Sequence, residues 1–453
     1  MKNIKNVYYI ITLIVIPQCL ACVPHKSIKD RIDAASAYLE AGDAAMAEKE
    51  YLTIIEQAPK QLRAYRGLIK ASLKTGHIKV LQKHYESTLK MSPDSPIALY
   101  CLGLIALAQG KKDQIAKAIT LFDHASRLAP KVGEYKYRAG LACLLTGNAE
   151  DAIERIDKAL EISPGQARYY PAAADAYLRI GKARKTLELL SRMLNYRPRI
   201  EDIKLGRAII VKASNPFTGV PSAGQGKLDA LLKQAESGIL GEELSDQVQA
   251  LLVKYEKCPL LHYLAGLAKL ESENRAQGIA ELKKAIHLAP MWADPVLALA
   301  TVFESLGRQP EAEKLYYKAS RLNPLSVEIR YKRARLLMAD DKPDEAAKEL
   351  IKVVALTNGS VASRLACADA LTAAEKPAEA RKQLETILKS HPDQVEAIFR
   401  LAQLELKLAA ELPKGMLKNK ALEKAKMMID KLRKLTPKNK KRINYLNRQL
   451  EQI

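Results

Sequence analysis

GEYKYRAGLACLLTGNAEDAIERIDKALEISPGQ, residues 133–166, holds two apolar patterns of helical period, parted at Gly147-Asn148 and cut off at Pro164. Glycine suits the left-handed position that ends a helix, and proline cannot continue one, so the stretch reads helix, turn, helix, turn. Ala152 stands twelve residues ahead of Pro164. A side chain that small lets the two helices of a hairpin cross at minimal distance.

The same layout recurs on both sides. Closing positions fall at Pro59, Pro93, Pro130, Pro164, Pro198, Pro290, Pro324, Asn358, Pro392 and Pro437, and most spacings are 34 residues. The exceptions are 37, 92 and 45, which place insertions before Pro130, between Pro198 and Pro290, and before Pro437. Small residues hold the crossing position at Ala47, Ala118, Ala152, Gly278, Ala312, Ala346, Ala380 and Ala425, and glycine marks the hairpin turn at Gly42, Gly76, Gly110, Gly147, Gly181 and Gly307. Self-similarity at such a period is the mark of an array whose units bury their apolar faces only against neighbours.

With these positions set out, the chain resembles the tetratricopeptide repeat (TPR) family. Gly140, Cys143, Ala152, Ala159 and Pro164 of 133–166 fall on or near the family's signature positions. So do Ala300, Phe303, Ala312, Ala319 and Pro324 in ADPVLALATVFESLGRQPEAEKLYYKASRLNPLS, residues 293–326. The pattern departs from the family at the first, tryptophan-like position, which is rarely aromatic, and at Asn358, which replaces a closing proline. The resemblance implies an all-α fold, a TPR-type α-solenoid in which antiparallel helix hairpins wind into a right-handed superhelix. Five units are expected over 28–200 and five over 259–437.

Residues 201–258 break the rhythm. Here IEDIKLGRAIIVKAS reads as a helix, 214–226 as an exposed loop rich in Gly and Pro, and the remainder as a helical pair. A degenerate repeat with an insertion and a hinge between two halves both fit. Residues 438–453 read as a basic helix capping the last hairpin, as solenoids require.

Composition agrees with close-packed helices. Of 453 residues, 48% are hydrophobic but only 5% aromatic, so buried area must come from many small side chains. No stretch offers the roughly 20 uninterrupted apolar residues of a spanning helix, which excludes a polytopic membrane protein. The formal net charge of +22 favours anionic partners.

The N-terminus carries Lys2 and Lys5 without an acid, then an apolar run from Val7 to Ile16 that stops at Pro17-Gln18. That is the layout of a secretory signal, too short to span a bilayer. Cys19-Leu20-Ala21-Cys22 resembles a bacterial lipobox, departing from it at Cys19, where leucine is usual. The resemblance implies a lipoprotein-type signal over 1–21, acylation of Cys22 and a short linker over 22–27, leaving a mature charge of +20. With Val23 rather than Asp after the modified cysteine, it also implies a periplasm-facing outer-membrane location in an enteric host. A plainly cleaved signal and an uncleaved apolar N-terminus are the alternatives. Cys101, Cys143, Cys258 and Cys367 form no CxxC pair and read as small buried hydrophobes, although an oxidising compartment would permit a disulfide.

Catalytic and cofactor motifs are missing. GQGK at 224–227 lacks the first glycine and the Ser or Thr of a phosphate loop, and Pro221 and Leu228 stand in their places. The seven histidines show no HExxH spacing, no GxSxG elbow occurs, and neither metal nor cofactor is implied.

In a TPR superhelix the first helix of each hairpin lines the concave surface, with its fifth and ninth positions facing the ligand. Those positions are Tyr100 and Leu104, Tyr137 and Leu141, Tyr263 and Leu267, Tyr331 and Arg335, then Phe399 and Gln403. Such an aromatic series suits an extended peptide or a helix, and packing between hairpins is the competing use. No first helix joins Lys or Arg at position five to Asn at position nine, so the terminal-carboxylate clamp of chaperone-binding TPR domains is missing. Residues 412–442 concentrate a net charge of +10, including Lys424, Lys426, Lys431, Arg433, Lys434, Lys438, Lys440, Lys441 and Arg442. That patch would attract anionic lipid or polysaccharide, or serve only as a solvated terminal face.

The function expected is a non-enzymatic protein–protein interaction scaffold anchored in the bacterial envelope, supporting a machine such as exopolysaccharide export, pilus assembly or secretion. The alternative is a basic helical-repeat protein that binds nucleic acid or another anionic polymer. The export signal and the TPR-type positions argue against it.

Overall fold

The structure, a computed structural model, describes residues 27–239, 242–272, 274–413, 415–436 and 440–453. The expected signal, Cys22, all of the linker but Ser27, and Lys438 lie outside these residues. Among the described residues there are 24 α-helices and no strand. The fold is the expected all-α, TPR-type α-solenoid. No helix of the described residues is long and apolar enough to cross a membrane.

The chain divides into two compact units, at Thr146 and Gly147. The first unit comprises α1 (Ile28–Glu40), α2 (Ala44–Gln57), α3 (Leu62–Thr75), α4 (Ile78–Met91), α5 (Pro96–Gln109), α6 (Lys112–Leu128) and α7 (Gly133–Leu145). Consecutive helices pack on each other, and first helices also meet across hairpins, α1 with α3 and α3 with α5. Their starts are capped locally: Asp43 accepts the N–H of Met46 at 3.0 Å, and Ser95 that of Ala98 at 3.4 Å with Pro96 following. Small residues permit the close approach. A Cβ on Gly67 would lie 2.1 Å from the Tyr51 ring, and one on Gly103 2.6 Å from Phe122.

The second unit opens with α8 (Ala149–Ile162), α9 (Tyr169–Arg179), α10 (Ala183–Met193), a 3-10 turn (Leu194–Tyr196), α11 (Ile200–Ser214), α12 (Ser222–Glu236) and α13 (Glu242–Lys254). Hairpins follow as α14 (Pro259–Glu271) with α15 (Arg275–Leu288), α16 (Ala293–Ser305) with α17 (Gln309–Leu322), and α18 (Val327–Ala339) with α19 (Pro343–Leu356). Then come α20 (Val361–Ala373) with α21 (Pro377–Ser390), α22 (Val395–Glu411) with α23 (Met416–Leu435), and finally α24 (Lys440–Glu451). That last helix lies on α22 and α23, burying Ile443 and Leu446 and exposing Lys440, Lys441 and Tyr445.

The crossing residues behave as their size dictates. Ala47, Ala118, Ala152, Ala312, Ala346, Ala380 and Ala425 are all fully buried. At the glycine version, a Cβ on Gly278 would stand 3.0 Å from the backbone oxygen of Gly266. Asn358 performs the closing proline's task differently. It adopts φ +51° before Gly359 at φ +71°, a left-handed pair that turns the chain out of α19.

A second recurring device sits at the tryptophan-like position. The Tyr65 hydroxyl donates to the Pro59 carbonyl at 3.0 Å, and Tyr170 does the same to Pro164 at 3.0 Å. Arg330 reaches the Pro324 carbonyl through Nε at 3.0 Å and Nη2 at 2.8 Å. His262 Nε2 lies 2.7 Å from the Glu256 carbonyl. Each side chain bridges six residues back to an inter-repeat turn, satisfying a carbonyl that no helix serves.

Residues 201–258 are packed at both ends. α11 lies on α9 and α10, while α12 and α13 pack on α14. The loop is shorter than the expected 214–226: it runs 215–221, and the GQGK segment forms the first turns of α12. Its apolar residues draw it inward. Val220 is buried with Leu228, Leu231 and Leu261, and the Pro216 carbonyl accepts the N–H of Leu260 at 3.1 Å.

Sequence rhythm placed the break at 201–258, whereas the compact units divide earlier. The reason is long-range packing within the second unit: α10 touches α17, and the 3-10 turn touches α19. Leu325, fully buried, fills the space over Gly206, where a Cβ would come within 2.6 Å of it.

Candidate functional site

One polar cluster of the first unit joins α3, α5 and α7. Glu134, at the start of α7, is buried, and its Oε1 accepts three hydrogen bonds. The donors are the Tyr100 hydroxyl of α5 at 3.0 Å, Arg66 Nη1 of α3 at 3.0 Å and Arg138 Nε at 2.9 Å. Burial first, and the adjoining carboxylate second, hold the Tyr100 hydroxyl well above the ordinary phenol range, so it stays a donor. Burial works against the Arg138 charge, but Glu134 outweighs it and holds the guanidinium above its usual range.

Lys70 stands one turn beyond Arg66 on the same helix. It is exposed and has no acidic partner among the described residues. Burial of its stem, then the charges of Arg66 and Arg138, draw its ammonium below the ordinary lysine range. Counting from Leu62, Arg66 and Lys70 hold the fifth and ninth positions of α3, the positions the aromatic series samples elsewhere.

The aromatic series itself divides. Tyr100 is fully buried, its ring against Phe122 and Tyr135 at 5.9 and 5.3 Å between centroids. Tyr100 therefore packs between hairpins, the competing use of the series, enclosed by Phe122 of α6 and Tyr135 of α7. Leu104 and Tyr137 are buried as well, and Leu141 is half-buried.

In the second unit Tyr263, Leu267, Tyr331, Phe399 and Gln403 are half-buried and Arg335 is exposed. Tyr263 meets Trp292 edge-on at 5.0 Å, and burial, then the charges of Asp294, Glu236 and Glu328, push its hydroxyl above the ordinary range. Arg335 pairs with Glu304 at 2.7 Å, and Glu304 also accepts from Tyr316 at 2.6 Å. Phe399 lies under the Arg442 guanidinium, 4.9 Å from its ring centre.

Of the eight described residues of the C-terminal basic patch, four are paired within the fold. Lys424 bridges to Glu385 at 2.7 Å and Glu405 at 3.3 Å, Lys431 to Asp393 at 3.1 Å, Arg433 to Asp430 at 2.9 Å, and Arg442 to Glu396 at 2.8 Å. Lys426, Lys434, Lys440 and Lys441 are exposed without such partners among the described residues.

The four described cysteines are buried, and burial pushes Cys101 up to about 12 and Cys367 to about 11. Among the described residues no three His, Cys, Asp or Glu side chains converge as a metal site.

Profiles of the tetratricopeptide repeat family match residues 111–167, 263–324, 297–361 and 337–404. The chain is a tetratricopeptide-repeat protein. The TPR protein is also 32% identical over 73 residues to the TPR repeat-containing thioredoxin TTL4 of Arabidopsis thaliana. That match covers 16% of this chain and spans about a tenth of the thioredoxin, 11%.

Solved structures similar to the TPR protein include YrrB, a TPR protein with an unusual peptide-binding site, at 16% identity and a TM-score of 0.37 over 44% of this chain and 98% of that one. TTC0263, a thermophilic TPR protein of Thermus thermophilus, is similar at 15% identity and a TM-score of 0.33, over 41% of this chain and 100% of its own. MamA is similar at 21% identity and a TM-score of 0.27, over 38% and 91% of the two chains.

The cluster on α3, α5 and α7 escaped the sequence reading because its members belong to different hairpins. The available signal was Arg66 with Lys70 at the positions that hold Tyr100 and Leu104 in the next first helix.

Proposed function

We propose that this TPR scaffold is non-enzymatic, that it is held at the bacterial envelope by acylated Cys22, and that it supports assembly of a multiprotein machine through the first-helix faces of its hairpins. The observation that carries the reading is the arrangement of those faces. Side chains from successive first helices meet in polar sets, Arg66 with Tyr100, Glu134 and Arg138 in one unit and Glu304 with Arg335 in the other. The guanidiniums of Arg66, Arg138 and Arg335, held by these sets with exposed edges, are what an extended protein partner grips.

The envelope location rests on the N-terminal run and the lipobox-like Cys19-Leu20-Ala21-Cys22. Fractionation of cells producing wild type and Cys22→Ala, with intact mass of the membrane-bound form, tests it. The reading expects a mass matching an acylated chain that begins at Cys22, with the mutant released or unprocessed. An uncleaved, unmodified wild type in the soluble fraction contradicts the anchor and returns nucleic acid to consideration. A labelled RNA bound with sequence preference at physiological salt would then favour that alternative.

A further inference from the structure

We infer that Arg66, Lys70 and Arg138 form a recognition site for a carboxylate side chain of an acidic protein partner. The inference rests on the scaffold reading and names the chemistry that one of its faces accepts.

Charge balance is the first argument. Two guanidiniums share the single oxygen Glu134 Oε1, at 3.0 and 2.9 Å, and an ammonium without an acid stands one turn away. Lys70 pairs with no acid among the described residues, although the neighbouring Arg63 has Asp33 at 2.6 Å. A part-buried positive cluster left uncompensated opposes folding, and a ligand carboxylate supplies the missing charge. Burial lowers the proton affinity of Lys70 first and the charges of Arg66 and Arg138 second, and an incoming anion would relieve that second part.

Accessibility is the second. The Arg66 and Arg138 side chains are 19% and 18% exposed, so each presents an edge, while Lys70 and the adjoining Leu73 are exposed outright. Only one Arg66 nitrogen is engaged, which leaves the rest of the planar fork for a bidentate contact.

The third concerns ligand class. Nucleic acid needs a longer run of cations than the Arg66, Lys70 and Lys74 row of α3: Arg63 is neutralised by Asp33, Lys74 donates to the Leu39 carbonyl at 3.1 Å, and the apolar Leu73 and Leu141 follow Lys70 and Arg138 by three residues on their helices. An acidic residue set among apolar ones fits that mixture better than a polyphosphate does.

The test uses the full chain in detergent and fluorescein-labelled decapeptides in which glutamate alternates with leucine, or glutamine with leucine. The glutamate peptide should bind about tenfold more tightly or better. Lys70→Glu should lose at least about tenfold of that affinity, and Lys70→Arg should keep it. Because Lys70 is unpaired, the unfolding midpoint of Lys70→Glu should equal or exceed that of wild type. Bound glutamate peptide should also protect Lys70 from reductive methylation, read by mass spectrometry.

Equal affinity for the two peptides, wild-type affinity in Lys70→Glu, or no saturable binding each overturns the site. So does protection of Lys70 by millimolar inorganic phosphate but not by the peptide. Capture from envelope extract separates this claim from the scaffold reading. Partners retained by both wild type and Lys70→Glu refute the site alone, whereas a wild type that captures none refutes the scaffold.

Discussion

Arg66 of α3 and Arg138 of α7 donate to the same carboxylate oxygen, Oε1 of Glu134, at 3.0 and 2.9 Å. One buried acid thereby ties together first helices that are two hairpins apart and holds two cations at the edge of the face. Removing it should release both. Glu134→Ala should cost about 3 to 5 kcal/mol of first-unit stability, the usual penalty for uncompensated buried charge, and Glu134→Gln less. Urea unfolding combined with hydrogen exchange over α3 and α7 measures both.

A second buried acid also holds two guanidiniums, within the α18–α19 hairpin of the second unit. Glu349 binds Arg330 through one oxygen and Arg333 through the other, the latter at 2.6 Å, and all three residues are buried. Glu349→Ala should likewise lose about 3 to 5 kcal/mol. Lys185→Ala, which breaks an exposed pair at 3.2 Å, should change the denaturation midpoint by less than about 1 kcal/mol equivalent.

The loop at 215–221 packs beneath the start of α14 through Pro216 and Val220. Deleting 214–226 should therefore broaden or split the unfolding transition of the second unit rather than leave it intact. Calorimetry of the deletion checks this, and an unchanged single transition would make the segment a dispensable insertion.

Acid should weaken the α14–α15 hairpin. Burial disfavours the Glu281 charge, but its 2.7 Å contact with His262 and 3.0 Å contact with Lys284 outweigh that and hold the carboxyl below its ordinary 4.5. A lowered carboxyl contributes stability that is fully present above about 4.5 and is lost as pH falls through the lower folded-state value. The difference in urea midpoint between wild type and Glu281→Gln should accordingly shrink as pH is taken from 6 to 3.

Much of the fold was legible because its determinants are local. Ala152 ahead of Pro164, or Gly147 at a hairpin turn, acts within one unit and repeats with it. Long-range contacts of the second unit join residues more than a hundred positions apart, α10 with α17 and, from the following helix α11, Arg207 with the Leu325 carbonyl at 3.5 Å, and no period records them. The site was read less well for a related reason. Position five indicates a helix face but not its depth: both side chains bond Glu134, yet Tyr100 is enclosed by Phe122 and Tyr135, while Arg66 at the equivalent place on α3 keeps an exposed edge.

The most direct test of a partner-binding first-helix face is site-specific photocrosslinking in living cells. A benzoylphenylalanine at Leu73, exposed one turn from Lys70, is compared with one at Lys79 on the second helix α4. The account predicts a discrete adduct with an envelope protein from position 73, absent from position 79 and abolished by Lys70→Glu. Adducts from position 79 alone, or from position 73 regardless of Lys70→Glu, would contradict it.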